Sequence, residues 1–193
     1  MTSPASADAG TPQQRRRRHD PDRRERLIDV ALEVIAEHGV AGTSHRRVAA
    51  AAEVPLGSMT YHFAGMDELL EAAFTRLAGQ AADAFDQAML QARTTDDAVE
   101  AIVGLVTGDV LNKPEAMVAT YELYSLAARR PEIRSITNAW MERSRAALER
   151  HFTHDTAHML DALIEGLTLH RALSLDPMPL STVRAAIRRI TTA

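Results

Sequence analysis

The sequence contains no cysteine. Disulfide bonds, thiolate metal sites and cysteine nucleophiles are therefore excluded. Aromatic residues are also scarce, at 4% of 193 residues, whereas alanine and leucine are abundant. Because Ala and Leu lose little conformational freedom in a helix, this composition favours helices over strands.

Long apolar runs are missing as well. No stretch approaches the roughly 18 residues that a membrane-spanning helix needs, and residues 1–20 lack the apolar segment of a signal peptide. We therefore expect a cytoplasmic protein without membrane contact. No Walker loop, Gly-rich dinucleotide turn or nucleophile elbow is present, so the sequence predicts neither an enzyme nor a bound cofactor.

The net charge of −4 is unevenly distributed along the chain. Residues 1–65 are slightly positive, whereas residues 66–193 are negative. Local positive charge, rather than net charge, steers a protein onto phosphates. We interpret residues 1–20 as a flexible basic arm, a solvated tail being the alternative. In this interpretation the arm contacts DNA through Arg16, Arg17 and Arg18.

Apolar residues recur at helical spacing from residue 21 to the end of the chain. The pattern predicts an all-α fold of about nine helices without a convincing strand. Residues 21–65 form a first domain of three helices, with Gly39 ending the first helix. Residues 66–193 form a second, larger helical domain.

Residues 43–63 contain two short helices joined by a tight turn, which is typical of a helix-turn-helix. The second helix, from about Leu56 to Phe63, is small at its leading edge and polar on the side that would enter the major groove. Met59 and Phe63 are expected to face the core. The polar and small residues that we predict to contact DNA are Thr43, Ser44, Arg46, Arg47, Gly57, Ser58, Thr60, Tyr61 and His62.

These residues carry a family resemblance. Residues 39–52, then 54–63 and 67–70, resemble the DNA-binding domain of the TetR family. The resemblance covers about residues 22–70, and the later helices match the family in number and length only. The positions that depart from the family pattern are Glu53 for a turn glycine, Pro55 for a capping Ser or Thr, Thr60 for a tyrosine and Met66 for a phosphate-contacting lysine.

The resemblance implies a ligand-responsive transcriptional regulator, and we expect a repressor; activation stays open. Family members bind a small molecule among the C-terminal helices and pair their last two helices with those of a second subunit. Two reading heads must reach major grooves about 34–36 Å apart, so a ligand that changes their spacing releases operator DNA. We predict a mainly apolar effector, with these candidate pocket residues: Phe85, Met89, Met117, Tyr121, Tyr124 and Trp140. The candidate homodimer residues are Leu160, Leu163, Leu167, Val183, Ile187 and Ile190.

Alternatives exist for each group of candidates. A stripe of Met and aromatic residues at helical spacing also fits the core, and the dimer candidates can pack within one subunit. His151, His154 and His158 would share a face on one continuous helix and hold a metal. However, Asp155 is expected to cap a new helix there, so we predict no metal. The competing functions are a helical interaction module without DNA binding and a metal-binding enzyme.

Overall fold

The computed structural model describes residues 21–108 and 113–192, and the predicted arm at residues 1–20 lies outside them. Within the described residues the chain forms nine α-helices and no strand, which confirms the predicted all-α fold. In the same part, no helix is both long and apolar enough to cross a membrane. The helices are α1 (Arg23–Gly42), α2 (His45–Ala51), α3 (Gly57–His62), α4 (Met66–Gln91), α5 (Thr95–Thr107), α6 (Pro114–Arg129), α7 (Arg134–Leu148), α8 (His154–Leu173) and α9 (Leu180–Thr191), with a short 3₁₀ turn at Pro131–Ile133.

Local sequence signals fix several helix ends. Gly39 adopts φ 68° and interrupts α1 three residues before its end, as its position in the sequence predicted. Ser44 caps α2 by accepting a hydrogen bond from the Arg47 amide. Thr94 and Asp97 form a reciprocal capping box at the start of α5. The predicted cap of α8 was wrong: Thr153 caps this helix, and Asp155 lies in its first turn.

The turn between α2 and α3 contains a strained residue. Glu53 has φ 53°, the only positive φ of a non-glycine residue in the described chain. This is the position at which the family pattern has glycine, the residue that adopts such a conformation without steric cost. Glu53 therefore adopts the conformation that a glycine would adopt at this position, and the backbone is strained there.

Two apolar cores lie one after the other along α4. The first joins α1, α2 and α3 to the N-terminal half of α4 and to α6. The second joins the C-terminal end of α4 to α5, α8 and α9. The predicted domain boundary falls between α3 and α4, but apolar packing continues across it, since Phe63, Leu69 and Leu123 belong to the same core. The first three helices, α4 and α6 therefore share one apolar core.

Candidate DNA interface and ligand cavity

The inner side of α3 is locked in place. Met59 and Phe63 are 0% and 1% exposed, as the sequence predicted. The guanidinium of Arg24, on α1, lies 5.0 Å from the centre of the Phe63 ring. Because these contacts fix its rotation, α3 presents one constant outer face.

The outer face of α3 is polar and open. Tyr61 is 82% exposed, and its ring meets the His62 ring edge-on at 4.9 Å. Thr60 is exposed, although its hydroxyl also donates to the Gly57 carbonyl at 3.2 Å. No atom lies within 4 Å of where a β-carbon on Gly57 would stand. The space in front of this glycine is free for a partner, and the half-buried Ser58 lies beside it.

The predicted DNA contacts in and just before α2 divide into those that are free and those already bonded within the protein. Arg46 is exposed and free to reach phosphate, whereas the Arg47 guanidinium already donates to a carbonyl at the end of α1. Ser44 accepts from the Arg47 amide at 3.3 Å. Thr43 is only 9% exposed, and its hydroxyl donates to the Gly39 carbonyl at 2.8 Å. The hydroxyl of Thr43 thus supports the end of α1 and is not available as a donor to DNA.

Ion pairs and a cap attach the first helices to α4. Glu68 accepts from the Ala64 amide at 2.7 Å, and this hydrogen bond is the main reason that its pKa is lowered. Arg76 pairs with Asp29 at 2.5 Å and with Glu25, both on α1. Exposed pairs of this kind contribute little stability individually, but they connect α1 to α4 along its length.

A cavity of about 650 Å³ lies between α4, α6, α7 and α8, where the two cores meet. Five of the six predicted pocket residues line it: Phe85, Met117, Tyr121, Tyr124 and Trp140. The sixth, Met89, does not, because its side chain is fully buried in the second core. We therefore remove Met89 from the candidate pocket residues.

The cavity wall contains an aromatic group. Tyr124 stacks on Trp140 with ring centres 6.1 Å apart and planes inclined by 29°. Tyr121 meets Tyr124 edge-on at 6.4 Å. The Tyr124 hydroxyl donates to the Glu165 carboxylate at 3.1 Å.

Two acidic residues of the wall, Asp161 and Glu165, were not predicted. Burial is the main cause that raises the pKa of each carboxyl above its ordinary value. Water reaches Glu165 through the open side of the cavity, but the surrounding protein atoms still desolvate it. Their spacing was the signal in the sequence: the two acids are four positions apart, and each directly follows a buried residue, Leu160 or Ile164.

One hydrogen bond joins the cavity helix α6 to the kink in α1. Glu122 accepts from the Val40 amide at 3.1 Å. A β-carbon on Gly39 would lie 2.9 Å from the Glu122 carboxylate, and the φ of 68° is a conformation that favours glycine here. Glu122 directly follows Tyr121, which lines the cavity, and Val40 lies three residues before Thr43, where α1 ends.

Most of the predicted dimer residues are buried within the single chain. Leu160, Leu167, Val183 and Ile187 are at most 7% exposed and belong to the second core. Leu163 and Ile190 are partly buried against the same core. The first four are therefore unavailable to a partner subunit, because their side chains pack α8 and α9 onto α5.

A second apolar face of α8 points away from this core. Met159 and Leu173 are 47% and 70% exposed. Between them lie Ala162, which is exposed, and the partly buried Gly166 and Leu169. Residues at this spacing share one side of a helix, and Ala and Gly allow a second helix to approach closely.

The predicted histidine cluster is divided by the break before α8. His151 faces the Met89 carbonyl at 2.9 Å. His154 and His158 instead share a group with Glu149, whose ligand atoms all lie within 4.8 Å of one another. All three residues are exposed, and His154 already contacts Glu149 at 2.6 Å.

The helix-turn-helix and the cavity define the class of protein: a DNA-binding regulator that responds to a ligand. Two family models match the chain: "Bacterial regulatory proteins, tetR family" over residues 27–73, and "Tetracyclin repressor-like, C-terminal domain" over residues 93–193. The chain belongs to the TetR family. Members of this family are transcriptional regulators, so the chain is a regulator and not an enzyme.

Individual relatives agree with this assignment. The protein SCO7518 of Streptomyces coelicolor A3(2) is 50% identical, with a TM-score of 0.83 over 90% of this chain and all of that one. The multidrug binding protein EbrR, crystallised with proflavin, is 34% identical, with a TM-score of 0.66 over 87% of this chain and 99% of its own. The transcriptional regulator BetI of Escherichia coli O157:H7 is 28% identical over 81% of this chain and 85% of its own length.

Proposed function

We propose that the protein is a homodimeric repressor that binds operator DNA through α2 and α3 and is released when a small molecule enters the cavity. The observation that carries this proposal is α3, whose inner side is fully buried while Tyr61 on its outer side is 82% exposed. A binding partner that covers α3 would explain why so large an aromatic residue is exposed on a helix whose rotation is fixed. Because DNA is the target, we expect the protein to act in the cytoplasm.

The DNA contacts follow from the exposed donors. Arg46 and Tyr61 are exposed and are the proposed phosphate contacts, while Ser58, Thr60 and His62 are the further polar residues of α3 proposed to contact DNA. Arg16, Arg17 and Arg18 remain proposed contacts of the arm, outside the described residues. Ser44 and Arg47 contribute by holding α2 in place. Gly57 permits a close approach.

The second apolar face of α8 is the proposed dimer contact. Met159, Ala162, Gly166, Leu169 and Leu173 form it, and the family resemblance implies that the last two helices of each subunit pair. An apolar face left uncovered in one subunit is typical of an interface. The proposed contact therefore replaces the sequence-based candidates Leu160, Leu167, Val183 and Ile187, which are buried within one chain.

The cavity is the proposed effector site, and α6 is the proposed route from it to DNA. EbrR has been crystallised with proflavin, ethidium and malachite green. Its similarity to this chain supports a small-molecule effector for this protein too. A ligand against Tyr121 and Tyr124 would displace α6, and with it Glu122 and the Val40 amide at the kink of α1. The two reading heads of a dimer would then change their spacing.

The experiment that tests this function is DNA binding near the protein's own gene, across a salt series and with excess nonspecific competitor. We expect a specific retarded complex whose footprint contains two half-sites about 10 base pairs, or a multiple of this distance, apart. The salt slope reports the number of phosphates contacted. Weak, sequence-independent binding here and in a genome-wide selection for bound fragments would contradict the proposal.

A further inference from the structure

Two carboxylates face the cavity without an ion-pair partner. Asp161 and Glu165 lie one turn apart on α8, and both line the cavity. Among residues 21–108 and 113–192, no Lys, Arg or His nitrogen lies within 4.0 Å of either carboxylate. Arg143 of α7 pairs instead with Asp83 and Asp86 of α4. Lys113 is the one cation among the described residues of the wall, and its side chain is exposed.

The surroundings of the two carboxylates differ. Arg145 and His158 lie near enough to Asp161 to oppose the rise of its pKa. Within the part of the chain that the structure describes, no cation lowers the pKa of Glu165 in this way. The Tyr124 hydroxyl donates to Glu165, while the charge of Asp161 repels it. Glu165 is therefore the uncompensated negative charge of the cavity.

The aromatic wall lies next to this charge. Tyr124, hydrogen-bonded to Glu165, stacks on Trp140. Burial, together with the charge of Glu165, raises the pKa of Tyr121 to about 12, so this phenol is neutral at physiological pH. An aromatic face attracts a cation, most strongly where water is excluded. A carboxylate beside a stacked tyrosine and tryptophan therefore fits an organic cation with an apolar body better than a hydrated metal ion.

We propose that the cavity selects an organic monocation with an aromatic body, with Glu165 as its counter-charge and Tyr124 and Trp140 as its platform. This inference rests on the proposed function, because it names the chemical class of the effector. Arg145 and His158 offset part of the charge of Asp161, so Glu165 is the stronger attractor of a single positive charge.

The test compares two molecules of nearly the same shape, N-methylacridinium and neutral acridine, at pH 8 and without DNA. Trp140 is the only tryptophan of the chain and lines the cavity, so its fluorescence, corrected for absorption by the probe, reports occupancy. We expect the wild-type protein to bind the cation at least about tenfold more tightly than acridine. Glu165→Gln should weaken cation binding about tenfold to a hundredfold and leave acridine binding within about twofold. The matched control is Glu142→Gln, an exposed glutamate of α7 without a described ion pair, which should change neither.

The thermal midpoint of the free protein gives a second readout. A carboxyl with a raised pKa is destabilising when ionised, and this cost is complete once the pH exceeds the raised pKa. Glu165→Gln should therefore raise the midpoint at pH 8 even though it weakens cation binding, which shows that the variant is folded. Equal binding of both probes by the wild-type protein, absence of binding by either, or equal weakening of both by Glu165→Gln would overturn the inference. Since this assay contains no DNA, these outcomes leave the operator test, and with it the proposed function, untouched.

Discussion

Glu122 provides the sharpest test of how the cavity acts on DNA. Its carboxylate accepts a hydrogen bond from the Val40 amide at 3.1 Å, and this bond joins α6 to α1. If this contact is intact in the DNA-binding conformation and lost when a ligand displaces α6, then Glu122→Ala removes the difference between the two states. The variant should still bind ligand, but its operator affinity without ligand should already fall toward that of the ligand-bound wild type, so that adding ligand changes it little.

The magnitude follows from the kind of bond. A hydrogen bond to a charged, partly buried group contributes about 1.5–3 kcal/mol. Coupling between two sites in an allosteric protein is typically about 1–3 kcal/mol, or about 5- to 150-fold in affinity. One such bond is thus large enough to account for most of the coupling, and we expect the release factor of Glu122→Ala to fall to within about threefold of unity.

The assay is a thermodynamic cycle. Operator affinity is measured by fluorescence anisotropy without ligand and with saturating N-methylacridinium, and ligand affinity is measured through Trp140 on the free protein. Glu115→Ala is the matched control, because Glu115 is an exposed glutamate of the same helix without a described hydrogen bond or ion pair. A Glu122→Ala protein that is released by the same factor as wild type would refute the argument. Wild-type operator affinity without ligand would refute it too, because the contact would then not favour the DNA-binding state.

Three further predictions concern DNA, the dimer and the backbone. Tyr61→Ala should weaken operator binding about tenfold at an unchanged thermal midpoint, because the ring is exposed in the free protein. Met159→Glu with Leu173→Glu should give folded monomers by light scattering, since both side chains are exposed in one chain and face the proposed partner. Gly39→Ala should lower the free energy of unfolding by roughly 1–2 kcal/mol, because of its positive φ and the nearby Glu122 carboxylate.

Each of these has its control. Tyr61→Phe separates the hydroxyl from the ring, and wild-type affinity for Tyr61→Ala would remove this residue from the interface. Leu90→Glu, at an exposed leucine of α4, should leave the dimer intact, and a dimer that survives the α8 substitutions would place the interface elsewhere. Glu53→Gly should have the opposite sign to Gly39→Ala, a gain of up to about 1 kcal/mol, because it relieves a positive φ. Equal signs at the two positions would contradict the strain argument.

Local signals in the sequence were read correctly where short-range physics decides the outcome. Gly39 interrupts α1 because a positive φ is needed there, and Met59 and Phe63 are buried because, four positions apart, they share the inner side of this segment. The number of helices follows from apolar periodicity in the same way. These features depend on residues within one or two turns of each other, so a single sequence contains them.

Which surface an apolar stripe meets is a different matter. Leu160, Leu167, Val183 and Ile187 were expected between subunits, and Met89 in the pocket, but all five are buried in the second core. Helical spacing defines the side of a helix that avoids water and carries no information about whether a neighbouring helix, a second chain or a ligand covers it. Only the packing of α8 and α9 against α5 decided that, and it left the opposite face of α8 open.

The charged residues show the same limit most clearly. Asp161 and Glu165 would be taken from sequence alone as solvated residues on a helix surface, and Glu122 likewise. Their roles depend on what lies opposite: the tyrosine–tryptophan pair for Glu165, and the Val40 amide, 82 positions away along the chain, for Glu122. The sequence by itself determined the helices, several of their ends and the DNA-reading motif. Tertiary structure alone decided which aromatic side chain or backbone amide each acid meets, because these partners lie far away along the chain.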